Sequence, residues 1–343
     1  MTAKLIPIAR IASRRSWGRA LSVACLALLP FAVAAAEKPA LEFDRLAQAV
    51  VRIDSRIPPD ARTAEGLGRE RAGNGVVVDG AGLVLTIGYV ILEAFEVTLT
   101  TASGKEVPAD VVAYDHETGF GLVRALAPLE VTPIRFGDST ALSEGEPVLV
   151  MAHGGREQTL GAFVVSLREF AGYWEYLLDR AIFTSPPHPN WGGAALINRE
   201  GQLVGVGSVL VPDALRSRRN LPGNMFVPIS LLEPVMADLL SGTVSRPRRP
   251  WLGMFSSDSE DGVVVTRIAP DGPAARAGIK AGDVIGTVAG QRPRGIADMY
   301  RKIWALGDAG VEVPMQVLRD GAVHELAVRS ADRYRYLKLR GAF

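Results

Sequence analysis

The sequence predicts a mainly β protein: two β-barrels or β-sandwiches followed by a smaller α+β domain. Three observations predict this fold class. Between residues 73 and 211 the chain consists of short apolar runs separated by glycine and aspartate turns. A polar, basic and proline-rich stretch, SGTVSRPRRP at 241–250, then interrupts the pattern. Beyond it, the run GPAARAGIKAGDVI combines a short helix, a glycine turn and a strand.

The beginning of the chain has the character of an export signal. Five basic residues precede an apolar run at 20–35 that ends in alanines. This order of charged, apolar and small residues predicts a signal peptide, 1–36, cleaved after Ala36. A retained membrane anchor is the competing interpretation, which the short run broken by Pro30 disfavours. The pair Arg14 and Arg15 leaves both the general secretory and the twin-arginine export routes open.

Composition excludes several classes of chemistry. The chain has 343 residues and one cysteine, Cys25, which lies inside the predicted leader. The mature protein would therefore have no disulfide, no thiol nucleophile and no thiolate metal site. Cleavage would remove five of the 38 basic residues and leave 33 against 37 acidic ones, a net charge of −4. Without a basic field no nucleic-acid binding is predicted, and no cofactor or metal is predicted either.

Short strands dominate the first domain. The polar segment 37–72 is assigned to an N-terminal arm, and the clearest element follows it. In GNGVVVDGAGLVLTIGYVI, two apolar runs flank a turn at 79–82 and form a hairpin that ends at Tyr89. Similar runs predict strands at 95–101, 107–114, 122–125, 147–152, 161–167, 174–178, 194–197 and 202–211.

A helix and a linker mark the end of the first domain. Apolar residues recur at helical spacing over 230–240, which predicts a helix that closes the barrels and ends the domain 73–240. The stretch 241–250 is assigned to an exposed linker. The second domain covers 251–332, and a C-terminal tail at 333–343 is expected to be frayed.

Glycine and proline set the local structure of the second domain. Pro273 is expected to begin a short helix that stops at Gly278, and Gly282 is expected to adopt a positive φ before the next strand. A second helix is predicted at 296–306, where apolar residues repeat at helical spacing.

In this order the motifs resemble the HtrA (DegP-like) family. The resemblance rests on the hairpin above, on AYDHETGFGLVRA, FGDSTALSEGEPVLVMAHGG, HPNWGGAALINREGQLVGVGS and NMFVPISLL, and on WLGM with the glycine-rich run. It covers residues 72–240 and 250–332. It implies a trypsin-like double β-barrel followed by a PDZ domain. It also implies a serine endopeptidase with a serine nucleophile, a histidine base and an orienting aspartate.

The matching positions hold none of these three catalytic residues. The histidine position is Tyr89, the aspartate position is Gly119, and the serine position is Gly192, because HPNWGGAALIN aligns with the nucleophile loop without a gap. Glycine carries no nucleophile, and the phenol of tyrosine stays protonated at neutral pH. The resemblance therefore implies a pseudoprotease.

The loop at the serine position is a candidate remnant of an oxyanion hole. The backbone N–H groups of Asn190 and Gly192 are expected to point into it and to bind a carboxylate or a peptide carbonyl. Trp191 is interpreted either as a plug in the cleft or, preferably, as a core aromatic that fills the space left by the triad.

The peptide-binding residues are assigned by resemblance to the PDZ domain. Backbone N–H groups of Leu252, Gly253 and Met254, in the segment that begins at Trp251, would capture a terminal carboxylate while the peptide adds as a strand. The helix residues assigned to the groove are Met299 and Ile303. The implied ligands are unfolded segments or apolar C-termini.

The sequence thus predicts a periplasmic, HtrA-like pseudoprotease that acts as an adaptor, a chaperone-like holder or a regulator of an active HtrA-type protease. Whether it forms an oligomer is left open, and no stable membrane span is predicted after signal cleavage. One alternative is an active serine endopeptidase of envelope protein quality control, with Ser185 or Ser208 beside His153 or His188 in a rearranged site. The other alternative is a structural PDZ scaffold.

Overall fold

Antiparallel strands close into two barrels in the N-terminal part of the protein. The computed structural model describes residues 43–216, 220–242 and 246–339, all within the unit Leu41–Phe343. The predicted signal peptide and the last four residues of the predicted tail lie outside these ranges. Within the described ranges, no helix has the length and hydropathy needed to cross a bilayer.

The first barrel has the strand order β1-β2-β3-β6-β5-β4. Its strands are β1 (Val50–Arg56), β2 (Glu70–Val77), β3 (Leu83–Ile87), β4 (Glu96–Thr100), β5 (Glu106–Tyr114) and β6 (Phe120–Ala125), with helices α1 (Phe43–Gln48) and α2 (Ala64–Leu67). The predicted arm 37–72 is wrong at its C-terminal boundary, because β1 pairs with both β2 and β4. In VVRIDSR, buried and more exposed residues alternate, so one side of β1 faces the core.

The second barrel has the strand order β10-β11-β12-β9-β8-β7. Its strands are β7 (Pro147–Met151), β8 (Thr159–Gly172), β9 (Tyr176–Ser185), β10 (Ala195–Ile197), β11 (Leu203–Val211) and β12 (Gly223–Pro228). Helix α3 (Glu233–Ser241) follows and buries Val235 and Leu239 in the core that the barrels share. It ends at Gly242 with a φ of +65°, a left-handed helix cap.

A five-stranded sheet and two short helices form the second domain. The sheet runs β13 (Met254–Ser259), β14 (Gly262–Ile268), β15 (Val284–Val288), β16 (Glu312–Arg319) and β17 (Ala322–Arg329), with α4 (Pro273–Arg276) and α5 (Ile296–Trp304) between strands. The positive φ predicted for Gly282 is confirmed at +94°. The mainly β fold class, with an α+β domain at the end, is confirmed as well.

The chain after the sheet packs against the first barrel. Helix α6 (Arg333–Tyr336) follows β17, and Tyr334 and Leu337 are buried against Leu92 and Tyr114. The prediction of a frayed tail is therefore wrong for residues 333–339. Tyr334 and Leu337 alone are too few to form a sequence pattern that predicts packing against the barrel.

Candidate functional site

The positions that match the catalytic triad come from both barrels and meet. Tyr89 lies in a 3-10 turn, Gly88–Val90, directly after β3. The N–H of Gly88 donates to the carbonyl of Gly119 at 2.7 Å, which joins the histidine position to the aspartate position. A Cβ on Gly192 would lie 2.6 Å from Tyr89 Oη, so the serine position faces the same side chain.

The phenol of Tyr89 fills the space that a nucleophile would need. Its Oη donates to the carbonyl of Ser208, in β11, at 2.9 Å. Burial raises the pKa of Tyr89 above its ordinary value, so the phenol stays protonated at neutral pH. Tyr89 therefore acts as a spacer between the barrels and cannot accept a proton as an imidazole does.

Gly119 leaves no room for an orienting carboxylate. Its φ is +84°, a conformation that favours glycine. A Cβ there would lie 3.1 Å from Oη of Tyr176, which donates to the carbonyl of Thr118 at 2.6 Å. An aspartate at this position would therefore combine an unfavourable φ with a tight contact between its Cβ and a buried tyrosine.

The carbonyl groups of the loop at Gly192 are held by β2. The N–H of Asn74 donates to Gly192 O at 2.8 Å, and Asn74 Nδ2 donates to the carbonyls of Asn190 and Gly192, both at 3.0 Å. The N–H of Asn190 donates to Nδ1 of His188 at 3.0 Å. The expectation that Asn190 offers an oxyanion-hole donor is therefore wrong, because its N–H is turned toward this neighbouring ring.

Trp191 stands at the cleft and not in the core. It is half-buried and lines a cavity of about 330 Å³ together with Tyr89, His153 and Pro189. The preferred interpretation of Trp191 as a core aromatic is therefore wrong. The loop that carries it is pinned through its backbone, which leaves the indole at the cleft wall.

The candidates for a relocated catalytic pair make other contacts. Ser185 Oγ donates to the carbonyl of Pro222 at 2.9 Å. His153 Nε2 lies 3.1 Å from the carbonyl of Thr101, and the His188 ring accepts from Asn190. Ser208 is buried and contributes its carbonyl to Tyr89. Among the described residues, no group of three or more His, Cys, Asp or Glu side chains is arranged to hold a metal.

In the second domain, backbone N–H groups converge on a carboxylate. Leu252 N donates to Glu175 Oε2 at 3.0 Å, while Gly253 N and Met254 N donate to Glu175 Oε1 at 2.6 and 2.8 Å. Glu175 belongs to the second barrel, between β8 and β9. The segment assigned to carboxylate capture is thus occupied by a side chain of the same protein.

The side chains assigned to peptide binding are buried around this point. Trp251 is packed against Tyr336, with ring centroids 4.5 Å apart, and its backbone pairs with Ala331. The other assigned side chains share one apolar cluster with Leu177 of β9: they are Leu252, Met254, Met299 and Ile303.

Comparison with known proteins agrees with this architecture. Residues 73–206 match the trypsin-like peptidase domain, and residues 250–329 match the PDZ domain. The probable periplasmic serine protease do/HhoA-like of Haemophilus influenzae is 28% identical over 272 residues, covering 75% of this chain and 57% of that protein. The periplasmic serine endoprotease DegP of Salmonella typhimurium is 26% identical over 267 residues, covering 73% and 54%. The chain belongs to the HtrA family.

The fold of a solved HtrA-type protease agrees as well. A variant of AlgW with a tripeptide superposes with a TM-score of 0.51 at 22% identity, covering 84% of this chain and 95% of that chain. This HtrA-family chain spans a little more than half the length of the curated relatives above.

The resemblance to the HtrA family did not identify two residues that contact the assigned peptide-binding residues. Glu175 and Leu177 lie in a run that the sequence assigns to a strand, 174–178, without any functional role. The backbone N–H groups that bind Glu175 lie 77 to 79 positions further along the chain, so no local sequence pattern indicates the contact. The signal available in the sequence was the acidic side chain between aromatic residues in YWEYLL, which is unusual for a buried strand.

Proposed function

We propose that this HtrA-family chain is a pseudoprotease that works by binding peptides at its PDZ domain. The pseudoprotease assignment is supported by the position of Tyr89 Oη, which lies 2.6 Å from where a Cβ at position 192 would be. Loss of the nucleophile alone costs such a triad about six decades in turnover. Here the base and the orienting position are changed as well, and Gly119 lies against Tyr176.

Peptide binding at the PDZ domain is supported by the geometry of the segment 252–254, which binds the Glu175 carboxylate. Three consecutive backbone N–H groups point at one pair of oxygens, beside a cluster of apolar side chains. This pairing suits a peptide that ends in an apolar residue and a free carboxylate. On this proposal the protein serves the periplasm as an adaptor or holder of unfolded segments and C-termini, or as a regulator of an active HtrA-type protease.

We expect the protein to be inert toward casein and toward a fluorophosphonate probe, and to stay inert after Gly192→Ser. The new serine would meet the Tyr89 phenol and would have no base. The double variant Gly192→Ser with Tyr89→His is also expected to stay far below an active DegP run in parallel, because position 119 offers no orienting group. Labelling of wild-type protein at one serine, with turnover well above the blank, would falsify the pseudoprotease assignment.

A further inference from the structure

The tip of the β8–β9 hairpin lies in the groove between β13 and α5. Ser256 N, in β13, donates to the carbonyl of Tyr173 at 2.9 Å, which is a strand-type contact. Tyr300 Oη, from α5, donates to the carbonyl of Gly172 at 2.9 Å, and Glu175 N donates back to Tyr300 Oη at 3.3 Å. The hairpin segment 172–177 thus follows β13 as an added peptide strand would.

Glu175 and Leu177 together present the features of an apolar C-terminus. The Glu175 carboxylate receives the three N–H groups of residues 252–254 and is buried. Two positions later, the side chain of Leu177 enters the apolar cluster formed by the groove residues, and it too is buried. A terminal leucine would offer the same two groups, a carboxylate and a branched apolar side chain, from a single residue.

Ion pairs hold the sides of the hairpin against α5. Arg301 binds Glu169 at 2.6 Å and also binds Asp179, so one guanidinium links both strands of the hairpin to the helix. These three side chains are 35–85% exposed, and ion pairs at such solvent-accessible positions contribute little. The burial of Glu175 and Leu177 is therefore the main contact that keeps the hairpin in the groove.

We propose that segment 172–177 is an internal ligand that closes the PDZ groove, and that a peptide with a free carboxylate and a branched apolar C-terminal residue opens the groove by displacing it. This inference rests on the proposed peptide-binding function and adds its regulation and its ligand class. Displacement would release the β8–β9 hairpin, which belongs to the second barrel, and so would couple peptide binding to that barrel.

The internal ligand binds under strain that an external peptide would not share. Glu175 has a φ of +58°, which is unfavourable for a residue with a side chain. Burial raises the pKa of Glu175 from its ordinary 4.5 to about 7, so the groove holds the protonated carboxyl more favourably than the ionised one. A peptide with a free C-terminal carboxylate reaches the same N–H groups from an extended backbone, without this strain. Such a peptide can therefore compete with segment 172–177 for the groove.

Amide hydrogen exchange tests whether the groove is closed, without any ligand. In the full-length protein, the amides of 252–254 are expected to be protected. Glu175→Gly should make them exchange faster, whereas Glu175→Gln, which mimics the protonated carboxyl, should keep them protected. Glycine suits the positive φ at this position, so Glu175→Gly removes the carboxylate without adding backbone strain. Glu130→Gln and Glu130→Gly are the matched controls, since Glu130 has a φ of 60° and lies at the surface. Equal exchange of 252–254 in wild type and Glu175→Gly would overturn the proposal.

Peptide titration tests displacement. The probe is a fluorescein-labelled decapeptide ending in Tyr-Val-Leu with a free carboxylate, and its C-terminal amide is the control. Glu175→Gly should bind the free-carboxylate probe roughly tenfold or more tightly than wild type, the gain expected when the open form is a tenth or less of the population. Equal affinities in wild type and Glu175→Gly would refute the internal ligand while leaving peptide binding intact. If exchange changes as expected but no variant binds either probe, the proposed peptide-binding function fails instead.

The pH dependence has a definite sign. In the closed form, in which segment 172–177 occupies the groove, Glu175 has a higher pKa than in the open form. The closed form is therefore favoured below about pH 4.5, and this preference is lost progressively as the pH rises toward 7. Wild-type affinity for the free-carboxylate probe should therefore increase from pH 5 to pH 8, and Glu175→Gln should flatten the increase. A slope that survives Glu175→Gln would assign the effect to other groups. The charged and titratable groups around the carboxylate are Arg333, Tyr300, Tyr176, Arg249, His116 and Glu117.

Discussion

Gly193→Ala is expected to lower the free energy of unfolding about twice as much as Gly155→Ala. Both glycines have a φ of +74°, so alanine at either position carries the same left-handed strain of about 1–2 kcal/mol. At Gly155 a Cβ would meet open space. At Gly193 it would overlap the carbonyl oxygen of Asn74 and lie 2.7 Å from Thr86 Oγ1, which adds about 1–3 kcal/mol of overpacking.

Urea unfolding followed by tryptophan fluorescence measures the difference between the two variants. The Gly155 variant is the control because it isolates the backbone strain from the steric contact. Equal losses of stability would mean that the loop moves away from β2 at no cost, and that the close approach is not needed for folding.

This close approach explains why a loop without its catalytic serine keeps its shape. Gly193 N donates to the carbonyl of Gly207 in β11, and Thr86 Oγ1 donates to the carbonyl of Asn74 in β2. Together with the bonds from Asn74 to Gly192, these contacts join the two barrels through the loop. The glycines are therefore required by packing, independently of any catalytic role.

The parts of the protein that the sequence predicted correctly depend on local patterns. The hairpin that ends at Tyr89 is set by alternating apolar residues around a turn, and the turn at Gly282 needs only its own φ. The meeting of Tyr89, Gly119 and Gly192 follows from the fold once these motifs are in order. The hairpin and the glycine turn are each encoded within a few neighbouring residues.

The features that escaped prediction depend on distant partners. Strand β1 lies within the polar segment 37–72 assigned to an arm, and the three charged residues of VVRIDSR point to its partly exposed side once β2 and β4 pair with it. Glu175 has its partners in another domain. Asp115 lies in a turn with His116 and Glu117, yet it is only 1% exposed. In each case a charged side chain suggests solvent until the residue that satisfies it is known.

Asp115→Ala is expected to lower the free energy of unfolding by about 3 kcal/mol. It removes a buried carboxylate with several hydrogen-bond donors and leaves Arg246 with only its longer contact to Glu117, at 3.6 Å. Asp115 Oδ1 accepts from Arg246 at 2.6 Å, and its Oδ2 accepts from Thr118 N and Oγ1 at 3.0 and 2.7 Å. Tyr334 Oη donates to Oδ1 at 3.3 Å. One carboxylate thus ties the segment before the PDZ domain and the helix after it to the first barrel.

Asp110→Ala is the matched control, since Asp110 is an exposed aspartate on β5, just before the same turn, and its loss should change stability by less than about 0.5 kcal/mol. Asp115→Asn should fall between the two, because the amide oxygen still accepts from Thr118 while the charge opposite Arg246 is gone. Limited proteolysis gives a second readout, in which Asp115→Ala should speed the separation of the PDZ domain from the barrels. Should Asp115→Ala behave like Asp110→Ala in both measurements, the PDZ domain must be held by other contacts, with Glu175 and Leu177 as the next to examine.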